Sequence, residues 1–500
     1  MSKIDLKTHE EIIADLDALT KEGKRFQVLR QLNSLMKTGP DKKLRTQLAR
    51  LANRNQAYVL ALRLLHPVVR DDREKIEPAT AEALNIYATS LMWIGALDES
   101  QKCLQRIKGS TEALLTQAFV FFAQWDYQKS VPVLLKYIYS SQTTVYQKLV
   151  GRINLLAAYI AFGSVDQAKA IFEPLIIELG TNVSYRLLYG NCLELRAQIS
   201  ILEKNYEQAL EFLNVSEKVL IEQAGRYLLY VNKWKAVAQL GLRPDDRSAQ
   251  DELLNVKAEA VRLKNWETIR DCDFHFARLQ NNQSVMQRIL LATPYKGYRE
   301  RVEKLFAIKI LPTRQFEFCP NQILDQVERV GLNLNSISES EFFNSTSWPL
   351  IQLMTKDGYR PPRMGDVFHT LYAGEYFDPF TSPQRVRNSV FRFNDWAEAV
   401  GCEFRIKIIK GDFKLVGPAG LGITSTQRSR PLDSWQGALF YFKKQNQSRS
   451  FSSSDLAHAL GFSQRSAVLL LKKALGSKKI EKLGSGRNCR YIFYSGRRSA

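Results

Sequence analysis

A turn followed by the start of a helix recurs through the first 300 residues, and this pattern constrains the fold most strongly. In the better copies a large apolar residue comes first, a small residue follows three positions later, and another large apolar residue follows four positions after that. The copies begin at Leu97, Tyr127, Val165, Tyr206 and, in a poorer form, Trp266. Small residues at this spacing let two helices approach closely, and a single pair cannot bury its own apolar face. The pattern therefore predicts stacked helix pairs over residues 1–310.

These copies resemble the tetratricopeptide repeat, most closely in Leu97–Leu104 and Tyr206–Leu213, although the spacing between copies varies. The resemblance implies an α-solenoid with a concave surface. Such a surface would bind a peptide or a protein, or would join two copies of the chain as a homodimer. The alternative is a scaffold that packs only against its own C-terminal part.

The positive charge of the chain is concentrated towards its C-terminal end. The formal net charge is +20, and residues 346–500 contain 25 Lys and Arg against 11 Asp and Glu. A basic end after a nearly neutral body favours a polyanionic partner, most often nucleic acid.

Motifs of common enzymes are missing from the sequence. It has neither a phosphate-binding loop nor a dinucleotide fingerprint, and its six cysteines stand apart from one another. We therefore expect a protein that is not an enzyme, with no catalytic residue, metal or cofactor. The isolated cysteines, the charged N-terminal residues and the lack of a long apolar run predict a cytoplasmic protein with no membrane partner.

The residue pattern of the sequence changes after residue 310 and predicts a linker over 311–345. This linker is expected to begin with a strand-like segment and to contain a short helix at Ile323–Val330. A compact basic module is predicted over 346–417. Its three helices are expected at Trp348–Asp357, Asp366–Tyr372 and Gln384–Val400. Period-two alternation after Gly401, interrupted by Lys410-Gly411-Asp412, predicts a β-hairpin.

The third helix of this module has two distinct faces by helical spacing. Val386, Val390, Phe393 and Ala397 form the predicted buried stripe. A polar, cationic stripe beside it contains Arg385, Asn388, Ser389 and Arg392. Arginine can bind guanine edges or phosphates, and asparagine can bind adenine.

The order of three helices and a hairpin resembles the winged-helix effector domain of OmpR/PhoB-type response regulators. Arg385–Val390 resembles the recognition helix of that family, and Lys410–Val416 resembles its closing hairpin. The resemblance implies that the helix enters the major groove and that the hairpin, or wing, contacts the backbone. The alternative is a winged helix that binds protein. The candidate DNA contacts are Arg385, Arg387, Asn388, Ser389, Arg392 and Lys410.

A second module is predicted over 433–500, after a Gly-, Ser- and Thr-rich linker over 418–432. Its helices are expected at Asp433–Lys444, Asp455–Leu460 and Gln464–Leu475, the last capped by Ser463. A hairpin joins Ile480–Leu483 to Cys489–Phe493. The predicted core face of the last helix contains Ala467, Val468, Leu471, Ala474 and Leu475.

This second module resembles the winged-helix domains of bacterial transcription factors in general. Leu469 lies among its cations, where it could contact a thymine methyl group or a second copy of the chain. The candidate DNA contacts are Arg465, Ser466, Lys472, Lys473, Arg487, Asn488 and Arg490.

Together these patterns predict a mainly α protein, with an α-solenoid followed by two small α+β winged-helix domains. The leading hypothesis is a bacterial transcription regulator that binds double-stranded DNA. The alternative is a protein–protein adaptor whose basic modules bind acidic partners.

Overall fold

A computed structural model describes most of the chain, and the account below is confined to that part. The described residues are 8–70, 79–107, 110–221, 225–308, 316–318, 329–333, 347–399, 401, 403–409, 411–418, 421–425, 439, 442–443, 446, 450–460, 463–477, 479–485 and 489–493.

Helices joined mostly by short turns make up the N-terminal part of the chain. In order they are α1 (His9–Lys21), α2 (Arg25–Lys37), α3 (Lys42–Arg54), α4 (Tyr58–Val69), α5 (Ala81–Ile94), α6 (Leu97–Gln105), α7 (Thr111–Ala123), α8 (Tyr127–Ile138), α9 (Val145–Ala161), α10 (Val165–Gly180), α11 (Arg186–Leu202), α12 (Tyr206–Leu220), α13 (Gly225–Leu242), α14 (Arg247–Leu263), α15 (Trp266–Leu279), α16 (Gln283–Leu291) and α17 (Lys296–Phe306).

The predicted helix starts are confirmed. All five of the residues that begin the repeat copies are the first residues of helices, namely of α6, α8, α10, α12 and α15. The small residues three positions later are fully buried at Ser100, Ser130, Ala168 and Ala209. The Ser100 hydroxyl donates a 2.7 Å hydrogen bond to the Ala88 carbonyl of α5. A small side chain therefore lets α6 approach the backbone of its neighbour.

One turn geometry recurs between the helices of the described ranges. The residue two positions before a helix start has a positive φ, and the N–H of the next residue bonds to the carbonyl oxygen five residues earlier, at 2.8–3.0 Å. This is the Schellman arrangement, which satisfies carbonyl groups left over at a helix end. The positive-φ residues are Gly23, Gln56, Gly95, Trp125, Gly163, Lys204, Lys264 and Asn281.

Helices pack on their neighbours in the chain and also on the next helix but one. Contacts of the second kind join α3 to α5, α5 to α7, α11 to α13 and α13 to α15. Alternate helices thus lie side by side, and the intervening helices cover them. None of the helices in the described ranges has the length and apolar character needed to cross a membrane.

The chain divides into two compact units, and each unit is built from several separate segments of the chain. The first unit contains Met1–Leu311 together with Asp357–Asp366 and Tyr376–Gln384. The second contains Pro312–Lys356, Val367–Glu375 and Arg385–Ala500. Two short segments from the predicted first basic module therefore pack with the N-terminal helices.

A buried ion pair holds the first of these segments in the first unit. The Arg270 guanidinium on α15, only 1% exposed, donates to both carboxylate oxygens of Asp357 at 3.0 and 3.1 Å. Three tyrosine rings surround that guanidinium at 5.2–5.4 Å from their centroids: Tyr295, Tyr298 and Tyr359. The Asp357 carboxylate compensates a charge that burial would otherwise make costly.

The second unit contains shorter helices and small sheets. Its helices are α18 (Ser347–Met354), α19 (Met364–Leu371), α20 (Ser382–Ala399), α21 (Ser453–Leu460) and α22 (Gln464–Gly476), where α19 and α20 each include residues of the first unit. Its strands are β1 (Phe316–Phe318), β2 (Arg329–Asn333), β3 (Arg405–Ile409), β4 (Asp412–Val416), β5 (Leu421–Ser425), β6 (Ile480–Leu483) and β7 (Arg490–Phe493).

Both predicted hairpins form. β3 pairs antiparallel with β4, and β6 pairs antiparallel with β7. The predicted second and third helices of each module are also confirmed, with ends that shift by at most two residues. Most of the helix predicted at Asp433–Lys444 lies outside the described residues, although Leu439 and Phe442 belong to the core beneath α21 and α22.

The two segments predicted as linkers contribute strands to a third sheet. β5 is its central strand, antiparallel to β1 and parallel to β2. The helix predicted at Ile323–Val330 is wrong at its end, because Arg329 and Val330 pair with β5. Backbone pairing between segments about 90 to 110 residues apart outweighs the local preference of each.

Breaking the Arg270–Asp357 pair is expected to destabilise the first unit. Asp357→Asn keeps the size of the side chain but leaves the buried guanidinium without its counter-charge. We expect a loss of about 3 kcal/mol in the free energy of unfolding, measured by urea denaturation followed by tryptophan fluorescence. Arg262→Ala, which breaks an exposed ion pair with Glu259, is the control and should leave the midpoint unchanged. An equally small effect of Asp357→Asn would contradict this account of the pair.

Glu194 on α11 makes the stability of the first unit depend on pH. Burial raises the pKa of its carboxyl from 4.5 to about 7, although nearby Lys233 opposes the shift. The folded state then holds this proton more tightly than the unfolded state, so stability falls as the pH rises from 4.5 to about 7. Glu194→Gln, which is always neutral, should therefore gain stability over the wild type across this range. Parallel urea titrations from pH 4.5 to 7 measure the difference, and a constant difference would refute the assignment.

Candidate nucleic-acid interface

The α20 helix separates a buried stripe from an exposed one, as its sequence predicts. Val386, Val390, Phe393 and Ala397 are all buried, at 4% exposure or less. This confirms the predicted core stripe and fixes the rotation of the helix about its axis.

The exposed face of α20 combines cations, an amide and an aromatic ring. Arg387, Asn388 and Arg392 are exposed, and Phe391 lies among them with 67% of its surface accessible. Within the described part of the chain, Arg387 and Arg392 have no ion-pair partner. Asp395 adds an opposing charge one turn further on. Phe391 is not among the residues predicted for this face, although its position four residues after Arg387 places it there.

Arg385 is held by a carboxylate instead of pointing freely outward. Its guanidinium donates to both oxygens of Glu375, at 2.6 and 3.1 Å, and stacks 3.9 Å from the centroid of the Tyr372 ring. The hydrogen bond from Arg385 lowers the pKa of the Glu375 carboxyl. Because both side chains remain substantially exposed, the pair adds little stability.

Ser389 lies on the buried side of α20, which corrects its predicted place in the exposed stripe. The side chain is only 1% exposed. Its hydroxyl lies 2.9 Å from the Tyr372 hydroxyl and 3.1 Å from the Arg385 carbonyl oxygen. Ser389 therefore supports the packing of α20 against α19, the helix that Tyr372 follows.

The β3–β4 hairpin adds further positive charge. Gly411 has a φ of +86° in the tight turn, where a side chain would be strained. Lys407 lies opposite Lys414 in the register of the two strands, a juxtaposition that the sequence analysis did not single out. Lys410, the predicted contact at the tip, lies outside the described residues.

The α22 helix presents a second exposed cationic face. Arg465, Lys472 and Lys473 are exposed, as is Ser466, whose N–H donates to the Ser463 hydroxyl at 3.2 Å. The predicted cap is therefore confirmed, and the Ser466 hydroxyl also lies 2.8 Å from that of Ser463.

The core face predicted for α22 is correct except at one position. Ala467, Leu471 and Ala474 are buried, and Leu475 packs partly against the same core. Val468 is 38% exposed, however, and Leu470 takes the buried place instead. Leu469 is 53% exposed, as the sequence analysis expects.

The β6–β7 hairpin carries one described candidate contact. Arg490 is exposed, and its guanidinium donates to the Ser450 carbonyl oxygen at 3.3 Å. Arg487 and Asn488, predicted at the tip of this hairpin, lie outside the described residues.

Comparison with known proteins assigns no family to this arrangement. No family model matches the chain, and no characterised protein matches it either.

The hydrogen bond between Ser389 and Tyr372 is expected to stabilise the packing of α20. Ser389→Ala and Tyr372→Phe each remove it, at a cost of about 1 kcal/mol. Because both changes remove the same bond, the double variant should lose less than the sum of the two single losses. Urea denaturation of the four proteins measures this coupling, and strictly additive losses would show that the two hydroxyl groups act independently.

Proposed function

We propose that this protein is a non-enzymatic, DNA-binding transcription regulator. In this proposal the second unit carries two winged helices that bind duplex DNA, and the first unit is an α-solenoid similar to tetratricopeptide repeats. The observation that supports it most strongly is the exposed face of α20, which presents Arg387, Asn388 and Arg392 together beside a basic hairpin.

The recurrence of one arrangement supports the same proposal. In each module a short helix precedes a longer helix with exposed cations, and an antiparallel hairpin follows. A helix of this kind fits the major groove, whereas a basic hairpin fits the phosphate backbone beside it. The net charge of the C-terminal part favours a polyanion over a neutral partner.

The proposed mechanism divides the contacts into two kinds. Lysine and arginine side chains neutralise phosphates and make the affinity dependent on salt. In this proposal Arg387 and Arg392 on α20 contact phosphates as well as the adjoining base edges, and Asn388 on α20 and Arg465 on α22 contact base edges. Arg385 would first have to exchange Glu375 for a phosphate, so its net contribution should be smaller.

The first unit would position or regulate the DNA-binding unit through a peptide, a protein or a second copy of the chain. Part of its surface is already occupied by its own residues 357–366 and 376–384. Glu99 accepts a 2.8 Å hydrogen bond from the Phe377 N–H, for example. This internal packing supports a scaffolding role beside any partner binding.

A second candidate function is an adaptor that binds acidic proteins. The observation in its favour is the exposed apolar surface of Phe391, Val468 and Leu469 among the cations. Exposed apolar groups ringed by polar ones also occur at protein–protein interfaces.

Removal of two α20 cations distinguishes these functions. We expect the double change Arg387→Ala and Arg392→Ala in the full chain to weaken binding to a random-sequence duplex. It should also reduce the slope of log affinity against log salt by about 2. Fluorescence anisotropy over a salt series measures both quantities. Arg385→Ala should have a smaller effect than Arg392→Ala alone, because Glu375 already pairs with Arg385.

The matched control removes the same charge from the first unit. Lys21→Ala with Lys296→Ala deletes two exposed cations and should leave the slope nearly unchanged. Equal effects of the two double variants would mean that binding follows net charge alone and would reject α20 as the DNA contact. Salt-dependent binding to an acidic peptide, with none to duplex DNA, would favour the adaptor.

A further inference from the structure

Each of the two cationic helices exposes a large apolar side chain in the middle of its charged face. Phe391 on α20 is 67% exposed, and Leu469 on α22 is 53% exposed. A single exposed apolar residue is ordinary in a folded protein. What requires an explanation is that such a residue occurs in both modules at the same spacing from an arginine.

The spacing on the two helices is alike. Phe391 follows Arg387 by four residues, and Leu469 follows Arg465 by four residues. Residues four apart lie on the same side of a helix, one turn from each other. A partner that binds the arginine of either pair therefore also contacts the apolar side chain. Such a partner has to present an apolar group one helical turn away from the group that binds the arginine.

The major groove offers one such group. Guanine, adenine and cytosine present polar atoms there, whereas thymine also presents its 5-methyl group. Resting on the proposed function, we propose that Phe391 and Leu469 determine sequence preference by contacting thymine methyl groups. The neighbouring cations contact phosphates and polar base edges.

The competing occupant is an apolar pocket on a protein partner. The charges around each apolar side chain favour DNA over such a pocket. Phe391 lies between Arg387 and Arg392. These two cations outnumber Asp395, the one carboxylate within four residues of Phe391 on this helix. Leu469 lies three and four residues before Lys472 and Lys473. An apolar pocket would have to accommodate these charges, while a groove between two phosphate chains pairs with them.

Removal of the methyl group from the DNA tests this proposal without knowledge of the target sequence. Duplexes are first selected from a random-sequence library by the full-length wild-type chain. The selected pool is then amplified with either thymidine or deoxyuridine triphosphate, which differ only in the 5-methyl group. We expect the wild type to bind the uracil pool about fourfold more weakly for each methyl contacted, the value of one buried methyl group.

The variants assign this discrimination to the two side chains. Phe391→Ala with Leu469→Ala should bind the two pools equally, and Phe391→Leu with Leu469→Met should retain most of the preference for thymine. Tyr139→Ala removes an 81%-exposed aromatic side chain from the first unit and should keep the full preference. Because all of these changes are at exposed positions, the fold should be preserved.

The outcomes separate this inference from the proposed function. If the wild type binds both pools equally, or if the double alanine variant still prefers thymine, these residues do not contact methyl groups, although DNA binding stands. If the library yields no bound duplex, both the inference and the proposed function fail. Loss of a protein partner from the double alanine variant, with thymine preference intact, would assign the apolar groups to a protein interface.

Discussion

The repeated left-handed turn is the constraint on which the first unit depends. At each such turn the residue with positive φ reverses the chain, and the next N–H bonds to the carbonyl oxygen five residues earlier. The following helix then starts two residues after the reversal, which brings its fourth residue against the preceding helix. Two of the positions are closely packed glycines: a Cβ on Gly95 would meet the Asp366 carboxylate, and one on Gly163 would meet Leu305. The turn therefore fixes the start of the helix that follows it, and at Gly95 and Gly163 it also provides a surface that later parts of the first unit contact.

Buried charge explains why the first unit includes segments from far along the chain. The Arg270 guanidinium is almost completely buried, and desolvation makes an unpaired charge in such a place unstable. Asp357 provides the opposing charge, and Tyr359 in the same segment donates a hydrogen bond to Asp273 at 3.1 Å. Specific ionic contacts, which hold only in one geometry, thus join this segment to α15. An apolar contact of the same area would define the position less narrowly, because hydrophobic burial is not directional.

Local patterns predicted much of this fold, and the failures have identifiable physical causes. Helix starts such as Leu97, the core stripe of α20 and the Ser463 cap depend on residues close in sequence, so the sequence indicates them directly. The turn at Trp125 has neither glycine nor asparagine at the residue with positive φ, so that conformation carries no sequence signal. The β5 strand was missed because its pairing partners, β2 and β1, lie about 90 to 110 residues away. In the candidate site, helical spacing placed Arg387 and Arg392 correctly, but Ser389 sits at the edge of the core stripe. Its hydrogen bond to Tyr372, which is 17 residues away, decides the side on which it lies.

The ion pair between Arg385 and Glu375 makes Arg385 less available to an anionic partner than the other two arginines of the charged α20 face. A half-exposed ion pair is worth little in water, so a phosphate can replace the carboxylate at small cost, although Glu375 then loses its partner. Arg387 and Arg392 bear no such cost within the described chain, and they flank an apolar ring that water solvates poorly. In the function proposed above, charge would draw nucleic acid to this face without regard to sequence. Discrimination among sequences would come from groups whose contacts depend on the base, and on α20 we propose Asn388, Phe391 and the two unpaired arginines for this role. Under this proposal the same helix combines non-specific attraction with a narrower preference, because the two effects come from different atoms.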